Sequence, residues 1–379
     1  MAVFYAIGEA LVGKNELHAK IGSGELRQFQ EALSKKPNEA KLNLLTGTAT
    51  AKNIVGSFDR GNGSQIGFEE IGIGKPLTVQ IRHIYTGNKA EGFWGDKDML
   101  VTSAMRSIST YDAAPRAVNY LVPSAQNNRN FRTVNATEKG TPLICYSPSL
   151  TQPSSVVTVE VMFSGFPKET FDAVAQAFNS ASSIPVFAPA SGYLVAAGLA
   201  MKLAGNIGKS LVDGTPALRR TEEITFVTPG SNKATANFIL LISDEVSDQI
   251  LANYRVTTKG ILARMDDENK LYDGEFPYVV ISLDGREVDE YKMFSPTAAT
   301  AAQLDKFYNI NDGSSQPLGT IVDALKLYND MKFREKASNI AENLKAAVKG
   351  SEQYNNMLVQ YQAYVNNIQT KELKPSTLE

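Results

Sequence analysis

Apolar and polar residues alternate along several short stretches of this chain, and a two-residue period predicts β-strands. In "LTVQIRHIYTG" five residues are predicted to share one face: Leu77, Val79, Ile81, His83 and Tyr85. "VVTVEVMF" repeats the alternation, and "PLICYS", "ANFILLIS" and "FPYVVISLDG" are apolar runs bounded by Pro, Asn and Gly turns. The pattern up to about residue 294 is therefore typical of a chain that is mainly β.

A segment of helical character interrupts the strands at about residues 167–213. Its second half, "VFAPASGYLVAAGLAMKLAGNIGKSLVDG", is rich in Ala and Gly and has no acidic residue before Asp213. A helix over 186–212 would place apolar and polar residues on opposite arcs: Leu199, Leu203, Ile207 and Leu211 against Lys202, Asn206 and Lys209. Three interpretations stay open, which are a core helix packed on the strands, a helix on a membrane surface, and a contact with a partner subunit.

The composition changes from about Ser295 onward, where Ala, Lys, Glu, Gln and Asn dominate. Two helix candidates follow each other, separated by Gly350 and Ser351. In the second helix, five apolar residues are spaced by four and three positions, as in a helix–helix seam: Tyr354, Leu358, Tyr361, Val365 and Ile368. This short seam predicts an antiparallel hairpin rather than a free coiled coil.

These patterns together predict an α+β fold that is mainly β. We expect a β-sandwich-like body of C2-like pattern, with an internal helical insertion and a C-terminal helical hairpin. The expected domains are a strand and helix subdomain over 1–75, the sandwich over 76–294 and the hairpin over 295–379. The chain lacks the strand–helix alternation of a doubly wound nucleotide-binding fold.

Composition narrows the range of partners. The chain has 38 basic and 40 acidic residues, and this balance gives no electrostatic reason to expect nucleic acid. The single cysteine, Cys145, cannot form an internal disulfide, so we expect a cytoplasmic location. The chain has no run of about 18 apolar residues of the kind that forms a transmembrane helix.

Candidate catalytic residues are few. The two histidines, His18 and His83, are not part of a CxxC or HxxxH motif of the kind that binds zinc. His83 is predicted to be a core or edge residue whose ring is hydrogen-bonded. The glycine-containing stretches "IGSGE" and "DRGNGSQ" lack the P-loop and dinucleotide-binding patterns, and so predict turns. No cofactor is predicted from these motifs, and the sequence favours a protein that is not an enzyme.

Two acidic stretches offer candidate metal ligands. Five carboxylates precede predicted strands, as in the calcium loops of a C2 domain: Asp96, Asp98, Asp266, Asp267 and Asp273. Phe93 and Trp94 precede the first pair and form a candidate membrane or partner contact. Calcium is therefore a possible ligand, although acidic loops also occur for solubility alone.

The sequence favours a non-enzymatic structural or interaction protein that binds protein, including copies of itself. The first alternative is a membrane-active protein, either pore-forming or calcium-dependent, that uses the 186–212 helix. The second alternative is a hydrolase that works with carboxylates only. A homo-oligomer is the expected assembly of the favoured class.

Overall fold

The computed structural model describes the following residues: 2–7, 10–13, 15, 68–69, 71–88, 91–92, 95–105, 116–132, 142–166, 217–225, 238–288 and 318–375. These parts of the chain are mainly β, with antiparallel sheets, few helices and a C-terminal helical pair. The expectation from the sequence of a mainly β fold with a C-terminal helical pair is confirmed.

The strands are Ala2–Ile7 (β1), Ala10–Gly13 (β2), Leu77–Tyr85 (β3), Glu91–Gly92 (β4), Gly95–Met105 (β5), Arg116–Ala125 (β6), Asn130–Arg132 (β7), Leu143–Ser147 (β8), Ser154–Ser164 (β9), Leu218–Thr225 (β10), Phe238–Ile242 (β11), Tyr254–Val256 (β12), Leu262–Arg264 (β13) and Tyr278–Asp284 (β14). The helices are Ser247–Asn253 (α1), Leu318–Ala346 (α2) and Glu352–Asn367 (α3), and short 3-10 turns occur at Asp244–Val246 and Lys371–Leu373.

The described strands form two larger sheets and a small one. A seven-stranded sheet has the order β2-β1-β11-β14-β3-β7, with β8 also paired to β3. A five-stranded sheet has the order β10-β9-β5-β4, with β6 also paired to β5. Strands β12 and β13 form a separate two-stranded sheet. Strand β1 lies in the same sheet as β3 and pairs with β11.

One hydrophobic core contains side chains from both larger sheets. The alternation of β9 is confirmed, since Val157, Val159 and Val161 are buried in this core and Phe163 packs against it. The core also contains residues of the seven-stranded sheet: Val3, Tyr5, Val79, Ile81, Ile239, Leu241, Val279 and Ile281. Burial of these side chains contributes about 1.5–3 kcal/mol each, and it fixes which residues of each strand face inward.

The opposite face of the seven-stranded sheet is also buried. Residues of α1, β12 and β13 pack on it with side chains of β1, β11 and β14, such as Ile250, Val256, Leu262, Phe238 and Val280. Because both of its faces are covered, every residue of β11 and of β14 is buried. Continuous apolar runs such as "FILLI" are the sequence signature of strands buried on two sides.

A β-bulge corrects the predicted face of β3. Val280 of β14 pairs with His83 and Ile281 pairs with Ile81, so Arg82 is an extra residue in β3. An extra residue reverses the alternation beyond it. His83 and Tyr85 therefore lie on the side of α1 and β12 rather than on the side of Leu77, Val79 and Ile81, and Ile84 takes their place in the shared core.

The C-terminal helices form a hairpin that is docked on the β-structure. The Ser351 hydroxyl accepts the N–H of Tyr354 at 3.1 Å and caps the start of α3. At the other end of α3, the buried Asn367 amide donates to the carbonyl of Ser149 at 2.7 Å, in the loop between β8 and β9. The backbone of Gly74 also lies close to Val359 of α3.

Candidate functional site

Asp98 is a structural anchor in the five-stranded sheet. It lies within β5 rather than in a loop before the strand, because β5 begins at Gly95. One carboxylate oxygen accepts the N–H of Ser124 and the other accepts the N–H of Phe166, each at 3.0 Å. Asp98 therefore ties the ends of β6 and β9 to β5. Asp96 is also a residue of β5, and its side chain lies outside the described part of the structure.

The second acidic stretch follows β13 and makes local contacts. The Asp266 carboxylate accepts from the Arg264 guanidinium at 2.8 and 3.2 Å, and this hydrogen bond lowers the pKa of Asp266. Asp267 accepts the N–H of Asn269 at 3.0 Å, which is a turn stabilised by its own side chain. Asp273 is exposed. These contacts shape the loop without drawing the three carboxylates to one point.

The two acidic stretches belong to different layers of the fold. Asp98 is in the five-stranded sheet, whereas Asp266, Asp267 and Asp273 follow β13, which packs on the far face of the seven-stranded sheet. Across the residues that the structure describes, no three His, Cys, Asp or Glu side chains are grouped so as to hold a metal ion. Calcium binding by the five predicted ligands stays a prediction from the sequence pattern.

The candidate membrane contacts lie outside the described residues. This applies to all six: Phe93, Trp94, Leu199, Leu203, Ile207 and Leu211. Among the helices that the structure does describe, none is both long enough and apolar enough to cross a membrane.

The predicted seam residues lie where α3 meets α2. Tyr361 is buried with Ala337 and Leu344 of α2. Tyr354, Leu358 and Val365 pack against the same cluster, and Ile368 is buried just beyond the end of α3. The spacing of four and three thus places Tyr354, Leu358, Tyr361 and Val365 on the face of α3 that packs against α2.

A cluster of aromatic side chains, which the sequence did not indicate, lies beneath α1 and β12. The Tyr272 ring packs edge to face on Tyr85, Tyr254 and Tyr278, with centroids 5.4–5.7 Å apart. The ring of His83 stacks on Tyr278 at 5.5 Å, and its Nε2 lies 2.8 Å from Asn130 Oδ1. The bulge at Arg82 assembles this cluster, since it turns His83 and Tyr85 toward the tyrosines of β12–β14.

Burial raises the pKa values of these phenols. The pKa rises to about 12 for Tyr85 and for Tyr272, and it also rises for Tyr278 and Tyr254. Loss of hydration is the main cause in each case, and the charge of Asp273 adds to it at Tyr85, Tyr254 and Tyr272. A cluster of neutral, packed phenols is a structural element and not a set of bases at neutral pH.

These raised pKa values predict a loss of stability in alkaline solution. The unfolded chain ionises its tyrosines near pH 10, whereas the folded cluster holds its protons to about pH 12. The unfolded state then binds fewer protons, so the free energy of unfolding falls as pH rises from about 10 to 12. Urea titrations between pH 9 and 12 should show this fall, and Tyr272→Phe should make it shallower. If the free energy of unfolding fell equally steeply with pH in Tyr272→Phe and in the wild type, the loss of stability could not be assigned to the tyrosine cluster.

The outer face of α2 carries an exposed apolar patch. Leu327, Tyr328 and Met331 are 47, 45 and 57% exposed, and their spacing places them on one side of the helix. The opposite side holds the buried Asp330 and Phe333. Toward the C-terminus the outer face becomes charged, with Lys332 bonded to Glu335 at 2.8 Å. We call Leu327, Tyr328 and Met331 the α2 patch.

The α2 patch was not predicted from the sequence, since α3 was the helix of the C-terminal hairpin that was assigned a contact face. The signal was present in "LKLYNDMKF", where apolar residues occur on both sides of a helix. Single exposed apolar residues are normal on a protein surface, whereas these three are neighbours on one helical face. No protein-family model matches the chain, and no curated protein matches it.

Proposed function

We propose that the chain is a non-enzymatic interaction protein that self-associates through the α2 patch. The observation that supports this proposal is the contiguous exposure of Leu327, Tyr328 and Met331 on the side of α2 opposite its packed face. A two-layered β-sandwich of the two larger sheets serves in this proposal as the scaffold that holds the helical hairpin. The cytoplasmic location expected from the sequence belongs to the same proposal.

A second copy of the chain is the partner that fits the patch most simply. In a two-fold dimer the same surface occurs on both sides, so a single helical stripe can cover itself. Tyr and Met are enriched in such contacts, and α2 is long enough to cross a second α2. A copy also brings no unmatched charge to the centre of the contact, because the three residues of the patch are neutral.

The size of the patch sets the strength of the expected dimer. Covering the exposed half of three side chains contributes roughly 1 kcal/mol each, or about 6 kcal/mol over two copies. A complex with micromolar affinity requires about 8 kcal/mol. Association through this surface alone is therefore expected at tens of micromolar or above, with the particle size depending on concentration.

Charged substitutions in the patch test the proposal. Leu327→Glu combined with Met331→Glu should abolish the concentration-dependent dimer, because four carboxylates would then face each other across the two-fold contact. Val348→Glu is the matched control, since Val348 is 77% exposed but lies alone in the turn between α2 and α3. Light scattering after size-exclusion chromatography measures the mass of each variant.

Three outcomes distinguish self-association through the α2 patch from association through another surface and from no self-association. A dimer in the wild type and in Val348→Glu, with a monomer in the double variant, supports self-association. A monomeric wild type at every concentration overturns it and leaves the patch to a different protein. An unchanged dimer in the double variant also overturns it, since another surface then forms the contact.

A further inference from the structure

Met331 is the most exposed methionine among those whose side chains the structure describes. It is 57% exposed, compared with 40% for Met265, and Met357 is partly buried where α3 meets α2. The remaining described methionines are at most 3% exposed: Met99, Met105 and Met162. An exposed thioether reacts with a peroxide faster than a buried one, because the sulfur must meet the oxidant. Met331 is therefore the described methionine that a peroxide reaches most easily.

Met331 also lies one helical turn from both other residues of the α2 patch. Leu327 is four positions before it and Tyr328 is three positions before it, and residues at these spacings are neighbours on a helix surface. Met331 has the largest exposed fraction of the three, so it supplies roughly a third of the apolar surface that a second copy would cover. A change in the polarity of this one side chain therefore alters the whole contact.

We propose that Met331 is a modification site, at which a peroxide converts the thioether to the sulfoxide and thereby weakens self-association. This inference rests on the proposed function, since it concerns the regulation of the same surface. In the reaction the sulfur gives two electrons to the peroxide, a sulfur–oxygen bond forms and the oxygen–oxygen bond breaks. With hydrogen peroxide, the proton of the transferred oxygen passes to the departing hydroxide, which leaves as water.

The sulfoxide weakens the contact because it places a polar group where two copies meet. Its oxygen is hydrated in the monomer, and covering it with a second apolar patch removes that water. A two-fold contact contains the modified residue twice, so the loss is doubled. The oxidant reaches the sulfur before association, because a dimer with a dissociation constant of tens of micromolar is mostly monomeric at lower concentrations.

Treatment of the full chain with hydrogen peroxide tests the modification site, with mass spectrometry of each methionine and sedimentation velocity of the product. Once Met331 is fully oxidised, the dissociation constant of the wild-type dimer should be at least about tenfold higher. Met265→Leu removes the other exposed methionine and should respond to peroxide as the wild type does. Met331→Gln should weaken the dimer to a similar extent without oxidant, because its amide is polar and uncharged.

Protection of Met331 by association gives a second readout. By mass action, the oxidation rate of Met331 in the wild type should fall about threefold between roughly 10 and 500 μM protein, because the dimer covers the sulfur. The rate at Met265 should stay constant, since Met265 follows β13 and lies outside the patch. Equal Met331 rates at both concentrations, in a chain that sedimentation shows to be dimeric at the higher one, overturn the proposal.

Met331→Leu is the matched variant, because it has no thioether in the patch. Its dissociation constant should be the same before and after peroxide, and a tenfold rise there overturns the proposal, since oxidation elsewhere would then weaken the dimer. A wild-type dimer that persists with Met331 fully oxidised overturns this inference and leaves the proposed function standing. A wild type that is monomeric before any peroxide is added overturns the proposed function, and this inference with it.

Discussion

Replacing Gly87 with alanine is expected to lower the free energy of unfolding by about 3–5 kcal/mol. Gly87 has a φ of +61°, a backbone conformation that residues with a side chain rarely adopt. An alanine Cβ would also overlap the carbonyl oxygen of Glu275, and it would lie 2.8 Å from the backbone nitrogen of Pro277. These atoms are backbone and cannot turn aside, so the loop before β14 must move.

The position of Gly87 explains why that movement is costly. Its carbonyl accepts the N–H of Asn128 at 2.7 Å, and the neighbouring Asn88 donates to Glu275 at 3.0 Å. Three loops thus meet at Gly87, directly above the tyrosine cluster. Urea unfolding of Gly87→Ala measures the loss.

Gly350→Ala is the control for the Gly87 prediction. Gly350 also has a positive φ, +83°, but open space surrounds the position of its Cβ. Only the conformational cost of about 1–2 kcal/mol is expected there. Equal losses of unfolding free energy in Gly87→Ala and Gly350→Ala would show that the positive φ alone sets the cost. The three loops would then not constrain Gly87 further.

Asp330→Ala is expected to cost about 2–5 kcal/mol, because it removes the buried carboxylate that accepts two backbone N–H groups of half-buried residues. Asp330 is buried in α2, and its two oxygens accept the N–H groups of Gln369 and Thr370 at 2.9 and 2.7 Å. These bonds fix the chain beyond α3 to the packed side of α2. Chemical unfolding of both variants compares Asp330→Ala with Glu335→Ala, in which the lost carboxylate is exposed and accepts from Lys332.

The comparison with Glu335 separates buried from exposed carboxylates on one helix. The exposed pair is screened by water, so Glu335→Ala should change stability only slightly. A loss at Asp330 as small as the loss at Glu335 would contradict the role given to the buried carboxylate. If the prediction is correct, Asp330→Ala should also speed proteolysis after Ile368, since the C-terminal turn is no longer held.

The sequence was informative where local pattern decides structure. The alternation of β9, the continuous apolar run of β11 and the seam of α3 each follow from a period that side-chain burial imposes. The break at Gly350 and Ser351 marked the turn between α2 and α3, and the Ser351 hydroxyl caps the second helix. Local chemistry of this kind is readable without knowledge of the rest of the chain.

Long-range pairing was the part that the sequence could not provide. β1 pairs with β11, more than two hundred residues away, and nothing local to Ala2–Ile7 indicates that neighbour. The extra residue at Arg82 shows only in the register against β14, so the faces of His83 and Tyr85 were assigned wrongly. The role of Asp98 was hidden for the same reason, since its donors lie far away in the chain: Ser124 is in β6, and Phe166 follows the end of β9.

Sedimentation velocity of the wild-type chain over a concentration series is the most direct test of self-association through the α2 patch. The patch predicts a sedimentation coefficient that rises from the monomer to the dimer value between about 10 and 500 μM. It also predicts that this rise is absent when Leu327 and Met331 are both glutamate. A coefficient that stays at the monomer value across the whole series would contradict self-association and leave the α2 patch without its proposed partner.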